Sequence, residues 1–154
     1  MPDTDTQTAE LNEAARSRID ELCAQAKAFV REEKFDQAIV RYCEAFALLP
    51  MPVERWEIAN SILVALGDAY FRSGDYANAS DVLVKAMRTP GAIQNPFIRL
   101  RRGQIAFETG RLENAEQEMS AAFMIEGETI FKREDPKYWA FLEPKLFPPE
   151  TELE

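Results

Sequence analysis

The chain has 154 residues, with 18 Lys and Arg against 27 Asp and Glu, a formal charge of −9, two cysteines and no histidine. Without histidine there is no Ser-His-Asp or Cys-His catalysis and no imidazole metal ligand, and two cysteines cannot build a four-Cys zinc site or a disulfide framework. The acid excess opposes general binding to phosphate backbones. A hydrophobic fraction of 46% and a charged fraction of 29% are those of a soluble globular protein, and the length suits a single domain. No apolar run reaches the ~18–20 residues of a membrane span. The opening MPDTDTQTAE has neither the basic nor the apolar region of a secretory signal. Cys23 and Cys43 are therefore expected as free thiols in a cytoplasmic protein.

In chain order, residues 1–7 read as a flexible tail, and a first helix opens near Thr8, because Leu11, Ala15, Ile19, Leu22 and Ala26 recur every three or four residues. It is followed by Phe35, Ala38-x3-Tyr42-x2-Ala45 and Pro50. Proline is favoured at a first helical position, so PVERWEIA after Pro52 should open an unusually long helix over about 53–73, roughly 30 Å by the helical rise. That helix contains Leu63-x2-Leu66-Gly67-x2-Tyr70. Gly74-Asp75-Tyr76 and Ala79-x3-Leu83-x2-Ala86 come next. A weaker copy runs through Gly103-x2-Ala106, Gly110-Arg111-Leu112 and Ala115-x3-Met119-x2-Ala122. Finally Asp135-Pro136 is a helix cap followed by proline at the first position. It opens a short capping helix over about 135–147, where Tyr138, Trp139, Phe141, Leu142 and Leu146 cover the third pair. Residues 148–154 are expected as a second flexible tail.

Three copies of one pattern are present, and their anchoring alanines, Ala38, Ala79 and Ala115, are 41 and 36 residues apart. The middle copy resembles the tetratricopeptide repeat (TPR), whose period is about 34 residues and whose signature runs W-x2-L-G-x2-Y, then A-x3-F, then P. The resemblance covers roughly 19–128, in repeats of about 19–52, 53–93 and 94–128, within a domain of 8–147. It implies an all-α fold: a right-handed helical solenoid of three helix pairs plus the C-terminal capping helix. Gly67, Gly103 and the anchoring alanines would let paired helices approach closely. Phe29, Tyr42, Tyr70, Leu83 and Met119 would fill the gaps, and stacking would close a continuous core. The segment from Asn95 to Leu142 is also similar to short stand-alone bacterial TPR proteins encoded beside secreted toxins.

TPR membership implies a non-enzymatic protein-binding module whose first helices line a concave groove. Carried onto this chain, the groove positions are Asp20, Cys23, Lys27, Val30 and Arg31 in the first repeat. They are Ser61, Val64, Asp68, Phe71 and Arg72 in the second, and Phe97, Leu100, Gln104, Phe107 and Glu108 in the third. The row Val30, Phe71 and Phe107 is either an apolar ladder for a partner or intramolecular core, since periodicity alone does not separate the two. No catalytic residue, metal ligand or cofactor is implied. The expected partner is a protein, basic in character to suit the acidic chain, and not nucleic acid or membrane. The resemblance admits an immunity protein neutralising a cognate toxin, or a secretion chaperone holding an effector.

Other clusters have plainer readings. Arg99, Arg101 and Arg102, with Arg111 nearby, could hold a carboxylate, but surface ion pairs are favoured. Arg99 and Arg102 occupy positions that TPR proteins usually fill with large apolar residues, so either the helix is rotated or the capping segment supplies acidic partners. Trp56 is expected to pack on the first pair or its loop. Glu113, Glu116 and Glu118 read as a solvated helix face, and carboxylate catalysis remains the weakest alternative.

Overall fold

A computed structural model describes residues 11–150, so the tail expected over 1–7, the helix start near Thr8 and residues 151–154 lie outside it. The described residues form seven α-helices and no strand. They are α1 (Glu13–Arg31), α2 (Phe35–Ala47), α3 (Glu57–Ser73), α4 (Tyr76–Ala86), α5 (Pro96–Glu108), α6 (Leu112–Glu126) and α7 (Pro136–Leu146). Single 3-10 turns occur at Val53–Arg55, Ala92–Gln94 and Glu128–Phe131. The helices belong to two compact units, Met1–Gly91 and Ala92–Glu154.

In the first unit α1 packs on α2, α2 on α3, and α3 on α4. Asn12 caps α1 by accepting from the Ala15 amide at 3.0 Å, and α1 runs from Glu13. The long helix expected over 53–73 is interrupted. Val53–Arg55 makes one 3-10 turn, Trp56 is extended (φ −96°, ψ 124°), and α3 starts at Glu57. The indole Nε1 of Trp56 donates to the Pro50 carbonyl at 2.8 Å. The added residues thus fold back on the preceding loop instead of lengthening the helix. Ala38, Ala59, Ala69, Ala79 and Leu83 are fully buried between the helices. A Cβ on Gly67 would stand 2.6 Å from Leu83 Cδ2, which shows how closely α3 and α4 approach.

In the second unit α5 packs on α6, while the turn Glu128–Phe131 and α7 lie against them. A Cβ on Gly103 would overlap Met119 Cγ and stand 3.0 Å from the Met119 amide nitrogen. Asn95 and Asp135 cap α5 and α7 by accepting from the Phe97 and Lys137 amides, each at 3.0 Å, and Pro96 and Pro136 follow them. Ile98, Leu100, Ile105, Met119 and Leu142 form the core.

All three pairs turn in one way. Glu33, Gly74 and Gly110 adopt φ of 60°, 86° and 81°. Each donates its amide to the carbonyl three residues earlier, on Val30, Phe71 and Phe107, and the next residue donates five residues back, to Phe29, Tyr70 and Ala106. A left-handed residue with this paired bonding ends a helix and satisfies its last carbonyls.

Candidate functional site

The groove positions of the first unit lie on α1 and α3. Cys23, Val30, Val64, Asp68 and Phe71 are half-buried, whereas Asp20, Lys27, Arg31, Ser61 and Arg72 are exposed. Helical spacing aligns them, since positions three and four apart share a face. Arg72 reaches Asp68 at 3.8 Å, and its guanidinium lies 4.7 Å from the Phe35 ring. The Phe71 and Tyr76 rings are 5.7 Å apart. Beneath them Tyr42 of α2 is buried. That burial pushes its hydroxyl up to about 12, and the charges of Cys23 on α1 and Asp68 on α3 act in the same direction. Burial also raises the Cys23 thiol, with Lys27 opposing and Asp20 reinforcing, so the thiolate is disfavoured and the sulfur acts as a small side chain. Among the described residues Lys27 and Arg31 make no ion pair, leaving two cations available on α1.

The corresponding positions of the second unit are engaged internally. Leu100 and Gln104 are completely buried. Arg101 Nη1 donates to Gln104 Oε1 at 2.6 Å and to Glu134 Oε2 at 2.7 Å, and Gln104 Nε2 donates to the same Glu134 oxygen at 3.0 Å. Arg101 also stacks 4.5 Å from the half-buried Phe97 ring. Phe107 meets Tyr138 and Phe141 edge to face at 5.4 and 5.2 Å. Glu108 accepts from the Tyr138 hydroxyl at 2.7 Å and faces Lys137 Nζ at 2.6 Å. These bonds hold its carboxyl below its ordinary 4.5, the Lys137 bond foremost, although burial works against them. The chain thus covers this face of α5 with its own segment from Glu134 to Phe141.

The arginine cluster divides. Arg99 and Arg102 both reach Glu118 of α6, at 3.2 and 3.4 Å, so their acid comes from the paired helix and not from the capping segment. Glu118 accordingly leaves the solvated face expected for the α6 acids, with only 18% of its side chain exposed. The capping segment's Glu134 serves Arg101 instead. Trp56 is half-buried, bonds the Pro50 carbonyl and lines a cleft together with Leu11 and Arg16. Among the described residues no group of three His, Cys, Asp or Glu could hold a metal ion, and no helix is long and apolar enough to cross a membrane. The Arg101–Gln104–Glu134 network is missed by sequence reasoning. Arg101 and Gln104 share a helix face, but the acid that joins them lies 30 residues beyond Gln104.

Residues 61–89 match the family model of the tetratricopeptide repeat. Solved structures of similar fold include the Yersinia enterocolitica type III secretion chaperone SycD in complex with a peptide of the translocator YopD. That pair has a TM-score of 0.68 and 19% identity over 88% of this chain and 98% of that one. The C-terminal TPR-containing domain of a Plasmodium falciparum protein named for FK506 binding aligns with a TM-score of 0.68 and 18% identity, covering 89% and 91% of the two chains. The Aspergillus fumigatus Sgt2 TPR domain aligns with a TM-score of 0.64 and 18% identity, covering 95% and 92%. No curated protein matches the sequence. Residues 61–89 thus match the tetratricopeptide repeat, and the chain has the all-α fold of TPR domains.

Proposed function

We propose that the protein is a non-enzymatic interaction module that holds a segment of a partner protein against the α1 and α3 face of its first unit. One observation carries this reading. In that unit Lys27, Arg31 and Arg72 are exposed and Val30, Val64, Asp68 and Phe71 are half-buried, whereas in the second unit Leu100 and Gln104 are completely buried and Phe107 and Glu108 are engaged by α7. Half-buried apolar residues ringed by charge have the composition of a binding hot spot, and the TPR fold is typically a protein-recognition scaffold rather than an enzyme. Val30→Ala combined with Phe71→Ala should weaken partner capture at least tenfold, read by calorimetry, while helical circular dichroism stays unchanged. Unaltered binding in a folded variant would dismiss the groove.

Two narrower roles follow. An immunity protein is supported by the similarity of the segment 95–142 to toxin-linked TPR proteins and by the −9 charge, which would steer it to a basic toxin. A secretion chaperone is supported by likeness in fold to SycD, seen with a translocator peptide. Co-expression with the product of the adjacent gene separates them: an immunity protein restores growth, and a chaperone raises secretion of its client.

A further inference from the structure

The residues that lengthen the interval between Ala38 and Ala79 to 41 form one wall of a separate cavity in the first unit, of about 280 Å³. Its floor is Phe46 of α2 and Leu63 of α3, the latter only 2% exposed. Thr89 closes the far side, and its hydroxyl is already satisfied, donating to the Ala86 carbonyl at 2.6 Å and accepting from Asn60 Nδ2 at 2.8 Å. Met51 and Val53 form the inserted wall, and Met51 is 78% exposed, an unusual position for a large apolar side chain. The charged lining consists of Lys85, Arg88 and Glu54. None of the three side chains makes an ion pair or hydrogen bond among the described residues. In a chain of charge −9, this apolar hollow therefore has a lining with two cations and one acid.

We propose that this cavity is a second docking site, distinct from the α1 and α3 face and independent of its role. It takes one aliphatic or aromatic side chain of a partner peptide whose adjacent carboxylates lie against Lys85 and Arg88. The apolar floor supplies the desolvated anchor, and the unpaired cations select the flanking charge. Trp56, bonded to Pro50, holds the inserted wall in place.

The test is an NMR titration of the full chain with the peptide acetyl-Ser-Phe-Glu-Glu-Ser-amide, its Gln-Gln counterpart, and decanoate. The expected result is saturable shifts of the Met51 methyl and of the Arg88 and Thr89 amides. Affinity should be at least fivefold lower for the Gln-Gln peptide and at least fivefold lower in a Lys85→Gln, Arg88→Gln double variant. Val53→Trp, which fills the hollow from its exposed wall, should abolish the shifts while circular dichroism remains helical. Equal affinity for the two peptides, shifts centred on Phe71 and Arg72, no shifts at all, or tighter binding of decanoate would each overturn the proposal.

Discussion

Glu33 is the residue at which the repeat departs most plainly from its own pattern. It holds a left-handed φ of 60° where the other two pairs have Gly74 and Gly110. A side chain there crowds the following carbonyl at a cost of roughly 1–2 kcal/mol, partly offset because glycine loses more chain entropy on folding. Glu33→Gly should therefore stabilise the protein by about 0.5–1 kcal/mol in urea titrations. The two close-approach glycines should differ from each other. At Gly67 the obstacle is the Leu83 side chain, whereas at Gly103 it includes the Met119 amide nitrogen and the Ala115 carbonyl, which cannot rotate away. Gly103→Ala is expected to cost about 1–3 kcal/mol, more than Gly67→Ala, by thermal melting. The Arg101–Glu134 pair, with side chains 7% and 13% exposed, should be sensitive to loss of one partner. Glu134→Ala removes the carboxylate that Arg101 and Gln104 share and should cost up to ~3–5 kcal/mol. Glu21→Ala, which removes the exposed partner of Arg18, should cost under ~1 kcal/mol.

Among the elements, α7 is the piece whose role depends most on its surroundings. Tyr138 and Phe141 cover Phe107, and Trp139 stacks against Phe123 and Phe131. Truncation before Asp135 should expose these rings and raise binding of a hydrophobic dye, with loss of unit stability. The polar tie between α5 and α7 is pH-dependent. The Glu108 carboxyl is held below its ordinary 4.5 in the folded state, chiefly by Lys137. A depressed acid contributes stability above its unfolded value and loses it as pH falls through the folded one. Urea stability of the second unit should therefore decline on acidification below about pH 4.5, and Glu108→Gln should flatten that decline. The cap of α7 was legible in advance, because Asp135-Pro136 is local chemistry. The interruption at Trp56 was not. A proline in a first helical position reads as one continuous helix until the indole is seen bonded to the Pro50 carbonyl.

For the whole molecule, the −9 charge is the property most open to measurement. If the partner is basic, long-range attraction should speed encounter, and the association rate should fall at least tenfold as salt rises from low to physiological strength. The dissociation rate should change much less. A rate that is flat with salt would remove the basic partner and leave the local cations Lys27, Arg31 and Arg72 as the determinants of what binds.

Helix type, the three pair signatures and the small residues between helices were determined by the sequence alone. Period, caps and steric bulk act over a few residues and are written in order along the chain. What a distant segment packs onto each candidate groove residue was decided only by tertiary structure. Phe71 and Phe107 occupy the same repeat position, yet Phe107 is packed against Tyr138 and Phe141, more than 30 residues further on. Burial depends on what returns through space to cover a face, and no local pattern encodes that return.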